Sequence, residues 1–233
     1  QTLEERGIAD NTIILFMSDN GGCAEFLQED SNDPDPSKYN HPTVDGREVR
    51  VGNTPTINPG PDDSFTSVDI AWANASNAPF RLFKRYTHEG GISTPLIVSW
   101  PAHIKTPGLV HEPTHVIDIM PTLLSVTGAT YPTTYREHDI LLLDGESFAN
   151  IFKKGDWSRQ QPIFWEHEGN RAMRDGKWKL LCEYDVSDPQ LYDMDSDRGE
   201  TTNLADQHHE VVARMSKALL AWHQSHAQPA RHQ

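Results

Sequence analysis

TIILFMSDNGG, residues 12–22, is the stretch on which the architecture turns. It follows a turn-like Asp10-Asn11 and runs through Met17 without a charged residue. A short apolar run, β-branched at its start, reads as a buried strand of a parallel sheet. Ser18-Asp19-Asn20-Gly21-Gly22 then forces the backbone to turn. Asp19 and Asn20 stand at the carboxyl end of that strand, the edge where open α/β sheets bind ligands. Their oxygens are hard donors suited to calcium or magnesium. An ordinary Asp-Asn-Gly turn accounts for the same residues, so local pattern leaves both readings open.

Upstream, residues 2–8 read as the end of a helix with Gly7 near its stop. The chain opens on Gln1 and an acidic stretch, which predicts that further sequence precedes it. Downstream, residues 28–70 are rich in Asp, Pro, Asn and Gly and lack periodicity. A stretch of that length reads as a lid, a binding loop or a disordered segment. Order returns near Trp72. Pro95–Trp100 (PLIVSW) is a second apolar strand, ended by Pro101. Ile119, Leu123 and Val126 have helical spacing, with Gly128 as the stop and a start expected at Pro121. Ser147–Phe152 reads as a second short helix.

The last seventy residues change period. Pro162–Trp165, Arg171–Arg174, Lys177–Tyr184 and Gln190–Asp193 read as strands, with a primed hairpin turn at Asp175-Gly176. Val212, Met215, Leu219 and Trp222 line one face of a helix. A strand meander with one amphipathic helix makes a small α+β unit.

Lys84 stands five residues before Glu89 in KRYTHEGG. Gly90 and Gly91 permit close backbone approach, and a lysine beside such a turn can neutralise an anion as a compact point charge. An exposed lysine of no special role fits equally well.

SDNGG after an apolar strand, NAPFRLFKRYTHEGGISTPLIVSWP, HVIDIMPTLLSVTGA, LDGESF, MRDGKWKLL and LYDMDSDRGETTNLA follow one another in order. As an ordered set they resemble the C-terminal half of the arylsulfatases, the formylglycine-dependent sulfatases of the alkaline phosphatase superfamily. The resemblance implies an α/β fold: part of an alkaline-phosphatase-like α/β/α sandwich over residues 1–157, then a small α+β subdomain over 158–233. It implies that Asp19 and Asn20 complete a single Ca2+ site and that Lys84 contacts the sulfate group of a sulfate-ester substrate. His88 lies in the same segment and is a candidate substrate contact, whereas His115 reads as structural.

The departures are specific. The family's formylglycine arises in a Cys/Ser-x-Pro-x-Arg motif. Cys23 is followed by Ala-Glu-Phe, and Cys182 by Glu-Tyr-Asp. Ser187-Asp188-Pro189-Gln190-Leu191 has Leu where Arg is required. The nucleophile and the paired aspartates that supply the other metal ligands are therefore expected in an N-terminal half. Asp62-Asp63 lies in a Gly/Pro loop and reads as loop solvation. The chain as given is expected to be inactive alone, and to self-associate or pair with that half. A phosphonate or phosphate monoester hydrolase of the same scaffold is the nearest rival, although Asn20 is a poor zinc ligand. A non-catalytic domain that retains the fold is the other.

Composition agrees with these readings. The 233 residues carry a formal net charge of −14, a poor match for nucleic acid or an anionic membrane. No apolar run reaches the ~18–20 residues of a membrane span. Cys23 and Cys182 form one disulfide or none. Location stays open on these residues, and the family resemblance implies a periplasmic or secreted parent.

Overall fold

The computed structural model describes residues 1–25, 41–184 and 188–226. Residues 28–40 of the expected loop at 28–70, and Ser187, lie outside the described residues. The chain forms two compact units, one of residues 1–17, 95–163 and 174–176, the other of 18–94, 164–173 and 177–233.

In the first unit, α1 (Thr2–Glu5) leads to β1 (Ile14–Met17). Its partner is β4 (Leu96–Ser99), with Ile14 opposite Ser99 and Met17 opposite Leu96. This pairing is antiparallel, which corrects the parallel neighbour expected for the strand. Four apolar residues carry no information on strand direction. Burial is also one-sided. Leu96 and Val98 pack on Phe148, Ala149 and Phe152, together with Trp100, Ile104 and Trp157. Ile14, Phe16 and Ile97 face outward, Phe16 being 69% exposed.

The helix read from Ile119, Leu123 and Val126 is α4 (Ile119–Thr127), preceded by a 3₁₀ turn at Val116–Asp118 and stopped at Gly128. It begins two residues before Pro121, which sits within its first turn, where a missing N–H costs nothing. Asp118 sets this entry. Its carboxylate accepts the His115 and Glu146 N–H groups at 2.7 and 2.8 Å and pairs with the Arg159 guanidinium. His115 is thereby a capping residue, accepting the Ile117 N–H on Nδ1. A hairpin of β5 (Thr134–Tyr135) and β6 (His138–Asp139) and the short α5 (Asn150–Lys154) complete this unit.

The second unit opens with the Ser18–Gly22 turn. Its segment 41–68 is nearly irregular, interrupted by a two-residue parallel bridge between β2 (Arg50–Val51) and β3 (Ser64–Phe65). There Arg47 holds Asp45, Asp62 and Asp63 at 2.8–3.1 Å on the surface. Next come α2 (Asp69–Ser76) and the one-turn α3 (Glu89–Ile92).

The meander follows as β7 (Ile163–His167), β8 (Asn170–Asp175), β9 (Trp178–Cys182) and β10 (Pro189–Asp193), in sheet order β10-β9-β8-β7. The loop between β8 and β9 is Gly176-Lys177, one residue later than the sequence reading, with Gly176 at φ 55°. Such a turn needs positive φ, which glycine adopts without penalty. One sheet face carries Met173, Leu180, Cys182 and Leu191 against Met215 and Leu219 of α6 (His209–His226). Val212 and Trp222 pack there too, Trp222 stacked on Phe164 with centroids 5.1 Å apart. The expected inward face of α6 is the observed one. Burying side chains of this size stabilises by ~1.5–3 kcal/mol each. Cys23 and Cys182 are not joined in a disulfide. No described helix is long and apolar enough to cross a membrane.

Candidate functional site

Backbone hydrogen bonds join the two segments singled out by the sequence. Gly21 N–H donates to the Gly91 carbonyl at 3.0 Å, and Lys84 N–H donates to the Gly22 carbonyl at 2.9 Å. The approach leaves no room for side chains. A Cβ on Gly21 would overlap the Gly90 carbonyl oxygen, and one on Gly91 would overlap that of Tyr86. Gly22 is hemmed in by Ala73 and Ser76, and Gly90 by the Arg81 and Leu82 carbonyls. Asn77 closes the junction from the side. Its Oδ1 accepts the Gly22 N–H at 2.8 Å and its Nδ2 donates to the Leu82 carbonyl at 2.9 Å. Thr94 adds a hydroxyl bond to the Ser18 carbonyl at 2.9 Å.

Lys84 is carried into this junction half-exposed. Its ammonium lies 3.1 Å from the Glu25 carboxylate and 4.0 Å from the Cys23 sulfur. The hydrogen bond to Glu25, followed by the Cys23 and Glu25 charges and then that of Asp19, raises its pKa above the ordinary lysine value. Lys84 is therefore a fixed cation at neutral pH and already holds one anionic group.

Asp19 is exposed and Asn20 half-buried on the same turn. Among the described residues no three His, Cys, Asp or Glu side chains gather as a metal set. A carboxylate beside an amide fits part of an oxygen cage for a hard cation. It cannot complete one, because calcium takes ~6–8 oxygen ligands.

His88, a candidate substrate contact by sequence, is buried at 1% exposure. Tyr86 lies edge-on to the ring, and the Glu183 carboxylate is 3.7 Å from Nδ1. Burial, then the charges of Lys179 and Arg81, push its pKa down to about 4. The sign of the effect on stability follows. The unfolded imidazole takes a proton near pH 6.5, the folded one only near 4, so this contribution is full above 6.5 and is lost as pH falls towards 4. The loss is about 3 kcal/mol. Burial raises the pKa of Glu200, which acts with the opposite sign, so the comparison needs a variant. His88→Gln is expected to lose less stability than the parent between about pH 7 and pH 4.5 in urea unfolding. Parallel losses would remove His88 from the account.

Behind the Glu-Gly-Gly turn lies a buried ion triad that sequence reasoning missed. Lys179, fully buried on β9, stands 2.8 Å from Glu89 and 2.7 Å from Glu200. Glu200 Oε2 accepts the Glu89 N–H at 2.8 Å. Both Lys179 and Glu200 lie in motifs that carried the family resemblance, MRDGKWKLL and LYDMDSDRGETTNLA, but nothing local assigns them a role.

Two family models match the chain. One is the sulfatase model over residues 1–129, the other the C-terminal model of N-sulphoglucosamine sulphohydrolase over residues 80–225. A sulfatase of Schizosaccharomyces pombe is 31% identical over 229 residues, covering 94% of this chain and 39% of that protein. The N-acetylgalactosamine-6-O-sulfatase of Bacteroides thetaiotaomicron is 25% identical, covering 94% of this chain and 37% of that one. A structure solved in work on glycosaminoglycan metabolism by Bacteroides thetaiotaomicron superposes with a TM-score of 0.63 at 23% identity, over 94% of this chain and 40% of that one. The chain thus spans about two fifths of the length of these relatives. It belongs to the sulfatase family, and it represents the C-terminal portion of that family's alkaline-phosphatase-like fold.

Proposed function

We propose that the protein carrying this chain hydrolyses sulfate esters, with Lys84 gripping the sulfate group and Asp19 and Asn20 contributing to a calcium site. One observation carries the reading. The Lys84 cation and the Asp19-Asn20 oxygen pair belong to two segments joined by two backbone hydrogen bonds, between Gly21 and Gly91 and between Gly22 and Lys84. A bound calcium would neutralise charge on the sulfate oxygens. Lys84 does the same from a rigid backbone, and preorganised charge stabilises the transition state without rearrangement. His88 enters as a buried neutral imidazole behind Glu89, a weaker candidate for substrate contact than Lys84. Formylglycine and the remaining metal ligands belong to sequence outside these 233 residues. Residues 1–157 form the catalytic portion and 158–233 the subdomain that supports it. The substrate class includes sugar sulfates, as the name of the Bacteroides relative suggests. A periplasmic or secreted location goes with this reading.

The full-length protein is expected to turn over 4-nitrophenyl sulfate or a sulfated hexosamine, to prefer these to 4-nitrophenyl phosphate, and to lose activity in EGTA. A preference for the phosphate ester would favour the monoester-hydrolase alternative. No turnover of any ester would favour a non-catalytic domain.

The 233-residue chain alone is expected to show no turnover. It should bind calcium more weakly than micromolar, since Asp19 and Asn20 supply one formal charge between them and affinity rises with ligand charge and number. Calorimetric titration decides, and micromolar binding would contradict the division of the metal site.

A further inference from the structure

We propose that Lys179 and Glu200, of the C-terminal subdomain, are positioning residues for Lys84. The inference rests on the assignment of Lys84 to the sulfate. The loop from Arg81 to Gly91 is tied at both ends to Glu200. At one end the Glu200 carboxylate accepts the Glu89 N–H at 2.8 Å. At the other the Arg81 guanidinium donates to the Glu200 carbonyl at 3.0 Å, and the Arg81 carbonyl takes the Gly90 N–H at 3.1 Å. Lys84 sits between these ties. Two non-glycine residues beside it, Leu82 at φ 65° and Arg85 at φ 101°, hold left-handed backbone. Such residues persist only where the surroundings over-determine them.

Glu200 is itself held. It is fully buried at φ 56°, its N–H bonds to the Asp197 carbonyl at 3.2 Å, and the Asp197 carboxylate takes the Thr201 and Thr202 N–H groups. Lys179 neutralises Glu200 and Glu89 together, with the Trp165 ring 6.0 Å from its ammonium. Arg198, half-exposed and 3.9 Å from Glu89, is a weaker second cation. Removing Lys179 would leave two buried carboxylates facing each other, a costly arrangement. The Glu-Gly-Gly turn would move away from Glu200, and with it the Gly91 carbonyl that anchors Gly21. The subdomain thereby sets the geometry of the anion site without touching the substrate.

The test compares Lys179→Met, Glu200→Ala and Glu200→Gln in the full-length protein. Backbone amide exchange at Lys84 and Gly21 is followed, with Met215 and Leu219 inside α6 as references. Lys179→Met and Glu200→Ala are expected to accelerate exchange at Lys84 and Gly21 about tenfold while the references hold. Glu200→Gln keeps an oxygen for the Glu89 N–H and should restore protection. The kcat for 4-nitrophenyl sulfate should fall about tenfold or more in the first two variants, with KM changed less, since displacement of a charge-stabilising group by an ångström costs up to ~100-fold. Should Lys179→Met not fold, the Glu200 pair carries the comparison. Unchanged exchange at Lys84 and Gly21, or equal acceleration at all four amides, would overturn the proposal. A wild-type protein without sulfatase activity would overturn the functional assignment and leave the exchange result readable on its own.

Discussion

Lys84→Ala in the full-length enzyme is expected to lower sulfate-ester turnover by about a hundredfold or more, the usual cost of losing one charge-stabilising donor. Thermal stability should hardly change. The ammonium is 41% exposed and its partner Glu25 is 75% exposed, and exposed pairs of this kind contribute ~0–1 kcal/mol. The anchoring bond from residue 84 to Gly22 is made by backbone and survives truncation of the side chain. Lys84→Arg should recover only part of the rate, because a planar fork does not reproduce a compact ammonium. The check is kcat and KM for each variant beside its melting temperature. Wild-type kinetics in Lys84→Ala would remove the residue from the site.

Asp118→Ala should act the other way, on stability far more than on chemistry. Asp118 is fully buried and takes three donors: two backbone N–H groups and the Arg159 guanidinium, which is only 7% exposed. Truncation strands that charge, leaving Glu146 at 3.5 Å and the Pro113 carbonyl as its acceptors. It also orphans the N–H groups that set the entry to α4 and the start of the Glu146 segment. Breaking a buried pair from one side costs ~3–5 kcal/mol, which for a protein of a few hundred residues lowers the melting temperature by roughly 10 °C. Asp118→Asn keeps oxygen for one donor and should fall between. Calorimetry on the three proteins decides. A loss below about 1 kcal/mol would mean that Arg159 finds water or another carboxylate.

What the sequence revealed, and what it hid, divides along physical lines. Turns were legible because their chemistry is local: Asp175-Gly176 located the hairpin to within one residue, and Gly128 the end of α4. The inward face of α6 was legible because helical period is local too. Strand direction was not, since Ile14–Met17 reads the same beside a parallel or an antiparallel neighbour. Its one-sided burial depends on elements far away in the chain. Lys179 was the hardest case. KWKLL reads only as part of a strand, yet both faces of β9 are covered and the Lys179 ammonium is fully buried. Its partners Glu89 and Glu200 lie 90 and 21 positions away, beyond any periodicity. Within the candidate site, Asp19, Asn20 and Lys84 stood out through the glycines next to them. Asn77 did not, because an amide that links the N–H of one turn to the carbonyl of another looks like any other loop asparagine.

The meeting of Gly21 with Gly91 also constrains how such an enzyme can diversify. Where Gly21 meets Gly91, the lysine loop and the Asp19-Asn20 turn touch backbone to backbone, with no side chain at that point to be exchanged for a longer or shorter one. Selection for a new substrate therefore cannot retune that spacing by exchange at Gly21, Gly22, Gly90 or Gly91 themselves. A laboratory library randomised at positions 21, 22, 90 and 91 should return almost only the parental glycines. Variation placed in the irregular segment 41–68, away from those four glycines, is where altered preference for the leaving group should be sought.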